Sequence, residues 1–231
     1  MLMSVDELRD FDLVATDGEI GSIRGVYFDD SSWMMLYLIL DTGKWLPGRK
    51  VIISTRAIEG WDLQNKKVMV ALSKDRIENS PKVDEDEPLS LEGQTRIDNY
   101  YGWSGGSPMT SHTQSTRDVI GTYIVAKDGE IGHVEDFIID NEGWLVRYMV
   151  VDTANWWPGK KVLMSTSWVR SLKWTDKKVH VDLTREEIKG SPEYSPGKIP
   201  PRAYEERLYG HYGRPGYWIG QAGGCGSAGC V

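Results

Sequence analysis

Apolar residues come in short bursts along this chain, and the spacing within each burst distinguishes strands from helices. Leu13 to Thr16 runs into Asp17-Gly18, a dipeptide that tolerates the positive φ of a tight hairpin turn, and Ile20 to Phe28 continues as a second strand. Met34 to Leu40 is apolar at nearly every position, which predicts a strand covered on both faces. Val51 to Ser54 follows a Pro-Gly turn. Val68, Val70 and Leu72 then alternate with Lys67, Met69 and Ala71, the period of a half-buried strand. Ser73 with Asp75 predicts the start of a short helix, which Ser80-Pro81 ends.

The same pattern returns at a gap-free offset of 111, where 25 of the 65 positions from Asp17 to Pro81 are identical to Asp128 to Pro192. Asp128-Gly129 repeats the turn, Leu145 to Val151 the buried strand, and Val162 to Ser165 the strand after the Pro-Gly turn. Val179, Val181 and Leu183 keep the alternation, and Thr184 to Glu187 is a full capping box. The register extends to Tyr101-Gly102 and Tyr212-Gly213. Two copies are too few for a solenoid, so each predicts a small domain. Many short strands with turn signals about every ten residues predict a mainly β chain of two small antiparallel barrels in tandem, each with a short terminal helix.

The expected layout is a first unit over 1–81, a linker over 82–115, a second unit over 116–192 and a tail over 193–231. The linker is read from the acidic run at Asp84 to Glu87 and the Gly/Ser-rich stretch from Gly102 to Thr116. In the tail, Ala203 to Tyr209 predicts about two helical turns before the Gly and Pro of His211 to Trp218 stop them. That segment either packs on a barrel or awaits a partner.

A composition of 40% hydrophobic and 26% charged residues, with a formal net charge of −7, places the chain among soluble globular proteins. The first ten residues lack the basic and apolar regions of a leader, and the longest apolar run, Trp33 to Leu40, is far short of a bilayer span. A cytoplasmic location without membrane insertion is the expectation. The acidic total argues against a nucleic-acid partner despite local charge at Lys50, Lys66, Lys67, Lys161, Lys177 and Lys178.

Candidate chemistry is sparse. His112, His133, His180 and His211 fall in no metal-binding spacing, and the offset maps three of them onto Met1, Ser22 and Met69. His180 and Asp182 share a strand face and could touch one ion, with an ordinary solvated face as the alternative. Asp17 with Glu19, and Asp128 with Glu130, resemble paired acids, but the intervening Gly makes Asp17, Gly18, Asp128 and Gly129 structural turn residues. Cys225 and Cys230 lie in a Gly-rich tail and do not fill a tetrahedral site. No catalytic residue, metal or cofactor is expected. The aromatic tips offer more: Trp45, Leu46 and Pro47, with Trp156, Trp157 and Pro158, either present a binding surface or fold back to plug the barrel ends.

The segments DGEIGSIRGVYFDD and DGEIGHVEDFIIDN, the strand WLVRYMVVDT beginning at Trp144, and the pair WLPGRKVIIS and WWPGKKVLMS resemble tandem PRC-barrel proteins over Leu2 to Pro81 and Thr116 to Pro192. That family is related to the cytoplasmic barrel of the photosynthetic reaction-centre H subunit, which has one barrel and a membrane helix; this sequence has two barrels and no such helix. The barrel is also similar to the carboxy-terminal domain of a ribosome maturation factor. The resemblance implies a bacterial, noncatalytic adaptor that binds protein partners at a photosynthetic or other membrane-associated complex, with homo-oligomerisation left open. The alternative is a small-ligand or metal-binding stress-related protein.

Overall fold

The computed structural model describes residues 1–43, 45–46, 49–83, 89–103, 112–153 and 160–219. The first unit begins with strand β1 (Leu2–Ser4) and one helical turn, α1 (Val5–Leu8), whose start is fixed by reciprocal capping between Ser4 and Glu7. There follow β2 (Asp12–Ala15), β3 (Gly18–Asp29), β4 (Met35–Asp41), β5 (Lys50–Ser54), β6 (Ile58–Asp62), β7 (Lys67–Val70) and the short helix α2 (Lys74–Glu78). Helix α3 (Leu91–Tyr101) comes next, capped by Ser90 and ended by Gly102 at φ +80°.

The second unit repeats this order: β8 (Thr113–Ser115), α4 (Thr116–Val119), β9 (Tyr123–Ala126), β10 (Gly129–Asp140), β11 (Leu145–Asp152), β12 (Lys161–Ser165), β13 (Val169–Lys173), β14 (Lys178–Val181), α5 (Arg185–Gly190) and α6 (Arg202–His211). Helix α3 lies inside the stretch expected to be a linker. It is the counterpart of α6 at the offset of 111, and the composition of its flanks hid it.

Each unit forms a seven-stranded sheet, ordered β5-β4-β3-β2-β7-β6 in the first and β12-β11-β10-β9-β14-β13 in the second. The mainly β tandem architecture is as the pattern predicts, but the sheets are mixed rather than wholly antiparallel. β2 pairs with β7, and β9 with β14, in parallel. The long excursion through β3 to β6 supplies the crossover that a parallel pair requires, and no local turn signal announces it. Nor do the described strands close into a barrel, since the hydrogen-bonded order runs open from end to end.

The seventh strand of each sheet comes from the other unit. β1 pairs antiparallel with β10, and β8 with β3. The buried apolar side chains of both units accordingly form one continuous cluster, in which Phe28 lies against Phe137 with ring centroids 5.9 Å apart. β4 is buried along nearly its whole length, as its continuous apolar run requires.

Candidate functional site

The first tip rises from the end of β4. Gly21 lets β3 approach it closely: a Cβ there would stand 2.1 Å from the Asp41 carbonyl oxygen, and at Gly132 2.0 Å from that of Asp152. The Asp41 carboxylate accepts from Gly43 N–H at 2.8 Å and from Arg24 Nη2 at 2.8 Å, contacts that hold its pKa below the usual carboxylate range. The Thr42 hydroxyl donates to the Leu46 carbonyl at 3.0 Å, and Trp45 N–H to the Thr42 carbonyl at 3.1 Å. Arg49 donates to the carbonyls of Glu78 and Ser80, which pins the far side of the tip to the end of α2.

Trp45 and Leu46 are therefore half-buried and packed against the core, and Lys74 Nζ lies 4.8 Å from the Trp45 ring centroid. Pro47, Trp156, Trp157 and Pro158 lie outside the described residues, as do Cys225 and Cys230. At the equivalent shelf of the second unit, Asp128, Ile131, Thr153, Lys160, Arg185 and Lys189 line a cavity of ≈ 300 Å³.

The turn aspartates serve these shelves. Gly18 and Gly129 take φ of +141° and +137°. Asp17 accepts from Lys74 N–H at 2.8 Å, and Asp128 from Arg185 N–H at 2.8 Å, so each hairpin turn satisfies the first backbone donor of the closing helix. Glu19 pairs with Lys67 and Glu130 with Lys178, both at 2.8 Å. Asp182 pairs with Lys127 at 2.8 Å and Arg214 at 3.3 Å. Among the described residues, no group of three or more His, Cys, Asp or Glu is placed to hold a metal ion, and no helix is long and apolar enough to cross a membrane.

Two buried acids escaped the sequence reading. Tyr37 donates to Asp98 on α3 at 2.9 Å, and its equivalent Tyr148 donates to Glu205 on α6 at 2.6 Å. Burial pushes both phenols well above their usual range, reinforced by Asp98 at Tyr37 and by Tyr209 and then Glu205 at Tyr148, and burial raises Asp98. Glu205 also accepts from Tyr217 at 2.9 Å and pairs with Arg202 at 3.0 Å. The aromatic tail thus packs on its own unit, with the Arg202 guanidinium 4.1 Å from the Trp218 ring centroid. The offset of 111 carried the signal for α3, because Arg96, Ile97 and Tyr101 repeat as Arg207, Leu208 and Tyr212.

A second cavity, ≈ 200 Å³, lies where α1 meets β10 and includes Asp6, Glu7, Arg9, Glu135, Asp136 and Tyr194 in its lining. Burial raises Asp136 to about 6, against the lowering effect of hydrogen bonds from the Phe137 and Asp6 backbones.

A family model, PRC-barrel domain, matches residues 1–77 and 113–188. No curated protein matches the chain.

Proposed function

Because this chain belongs to the PRC-barrel domain family, in two tandem units, we propose that it is a noncatalytic adaptor that gathers protein partners on a pair of equivalent surfaces. The observation that carries this reading is the reciprocal exchange of β1 and β8, which fixes the spacing between the Trp45 shelf and its second-unit equivalent. A partner that touches both shelves gains from an effective concentration set by a rigid scaffold rather than by a flexible linker. The shelves differ chemically, with Lys74 in one where Arg185 stands in the other, so they suit related rather than identical segments. A cytoplasmic location beside a membrane-associated complex fits this role.

Affinity capture from the source cells, comparing the intact chain with Trp45→Ala and Trp156→Ala, tests the reading once each variant is shown to be folded. A defined partner retained by the intact chain and lost from the variants supports it. Equal retention by all three removes the shelves from the interaction.

The cavity beside Arg185 favours a second reading, small-ligand binding. A ligand held there raises the melting temperature with the logarithm of its concentration above Kd, and a metabolite panel without such a shift counts against this alternative.

A further inference from the structure

The exchange between the units is reciprocal residue by residue. Leu2, Met3 and Ser4 face Asp140, Ile139 and Ile138, while Thr113, Gln114 and Ser115 face Asp29, Phe28 and Tyr27, and the offset of 111 carries each pair onto its counterpart. The flanking backbone bonds obey the same rule. Asn141 N–H donates to the Met1 carbonyl at 3.1 Å and Asp30 N–H to that of His112 at 2.9 Å. Val146 N–H donates to the Trp33 carbonyl at 2.8 Å and Met35 N–H to that of Trp144 at 2.7 Å. The bridge between Met34 and Leu145 maps onto itself, which places it at the approximate two-fold axis. An arrangement in which residue i meets j, and the equivalent of j meets the equivalent of i, is that of a two-fold dimer interface.

We propose that the two halves of the chain dock as such a dimer without needing their covalent connection, and that their surfaces have diverged to prefer the unlike half. Each docking surface consists of an amino-terminal arm, β1-α1 or β8-α4, and the outer stretch of the long strand, Tyr27–Asp29 or Ile138–Asp140. Its partner is another unit of the same fold.

The preference rests on one pair of equivalent positions, Gly25 and Asp136. At Gly25 the arm of the other half comes so close that a Cβ would stand 2.9 Å from Thr116 Oγ1, and that hydroxyl accepts from Val26 N–H at 3.2 Å. At Asp136 the opposing arm carries Val5 in place of Thr116, and the carboxylate accepts from Asp6 N–H at 3.4 Å. Two second halves would set Asp136 against Thr116, where the observed spacing has no room for a side chain. Two first halves would set Gly25 against Val5 and forgo both hydrogen bonds. The unlike pair alone satisfies both sites, which is discrimination by clash as well as by contact.

The test uses the full chain with a protease recognition sequence placed within residues 104–111. After cleavage, native mass spectrometry and size exclusion are expected to find a one-to-one complex of first and second halves, with like pairs rare. Separation of the cleaved halves, folded or unfolded, overturns the docking proposal, and like pairs in statistical proportion overturn the preference. Gly25→Asp is expected to weaken the cleaved complex at least tenfold while the uncut chain stays folded. Adding Thr116→Val, which installs the pairing found at Asp136, should restore part of that loss. Should Gly25→Asp unfold the uncut chain, recovery of folding by the double variant serves the same purpose, and failure of Thr116→Val to restore anything rejects the assigned pairing.

Discussion

The hydroxyl of Tyr37 donates to the Asp98 carboxylate across 2.9 Å in the interior of the first unit, tying β4 to α3. The second unit makes the equivalent tie from Tyr148, but its acid, Glu205, occupies the position equivalent to Gln94, four residues before the equivalent of Asp98. Residues four apart lie on one face of a helix, so an acid at either place reaches the same phenol. The two ties differ in their support. Glu205, 2% exposed, also has Tyr217 and Arg202, whereas burial dominates at Asp98 and raises its pKa.

Tyr37→Phe should therefore cost about 1–3 kcal/mol, the penalty of a buried acid losing a partner, and Tyr148→Phe should cost less. Urea unfolding measures both. Hydrogen exchange should also show α3 loosening before the strands in the Tyr37 variant; an unchanged α3 would mean that its apolar face, including Ile97 and Tyr101, holds it alone.

Asp136 gives the fold an acid-side stabilisation. Its folded pKa of about 6 lies above the ordinary value of 3.8, so between those two limits the folded state binds a proton that the unfolded state lacks. The contribution of this group to stability thus grows as the pH falls from about 7 towards 4, reaching at most about 3 kcal/mol. Asp136→Asn should raise the urea midpoint at pH 8 and flatten this component, read as the difference between variant and parent at pH 5 and pH 8. Other carboxylates, such as Glu187 with its pKa lowered by the Thr184 backbone, work in the opposite direction and cancel in that difference. An identical midpoint shift at both pH values would contradict the assignment.

Glycine is required at some of these turns for space and at others only for backbone freedom. Gly21→Ala and Gly132→Ala press a methyl group against a carbonyl oxygen of the adjoining strand, and each should cost about 2–3 kcal/mol. Gly43→Ala meets nothing within 4 Å and bears only the cost of φ +55°, about 1–2 kcal/mol. Thermal unfolding that ranks Gly43→Ala as the most damaging of the three would show that the close approach of β3 to β4 relaxes easily.

The sequence by itself determined many of the elements, although not β1, α1, β6, β8, α4 or β13. Alternation placed β7 and β14, continuous apolar runs placed β4 and β11, Asp-Gly placed both hairpin turns, and capping residues placed α2 and α5. These signals are local, set by neighbouring dihedrals, side-chain periodicity and nearby hydrogen bonds, so they survive without any knowledge of the partner element. The doubled pattern likewise fixed the tandem plan. It also contained α3, through the equivalence of Tyr101 with Tyr212, although composition alone pointed to a linker.

Tertiary structure decided what joins what. Leu2–Ser4 and Thr113–Ser115 have no mark that assigns them to the other unit's sheet, since a three-residue strand satisfies its backbone equally well on any free edge of suitable register. The parallel pairing of β2 with β7 and the burial of Asp98 and Glu205 are also long-range outcomes. At the candidate site, the sequence supplied the turn and the aromatic tip. Only the fold brought Lys74 beneath Trp45 and Asp17 to the start of α2, because residues 29 and 57 apart in the chain meet through the shape of the whole sheet.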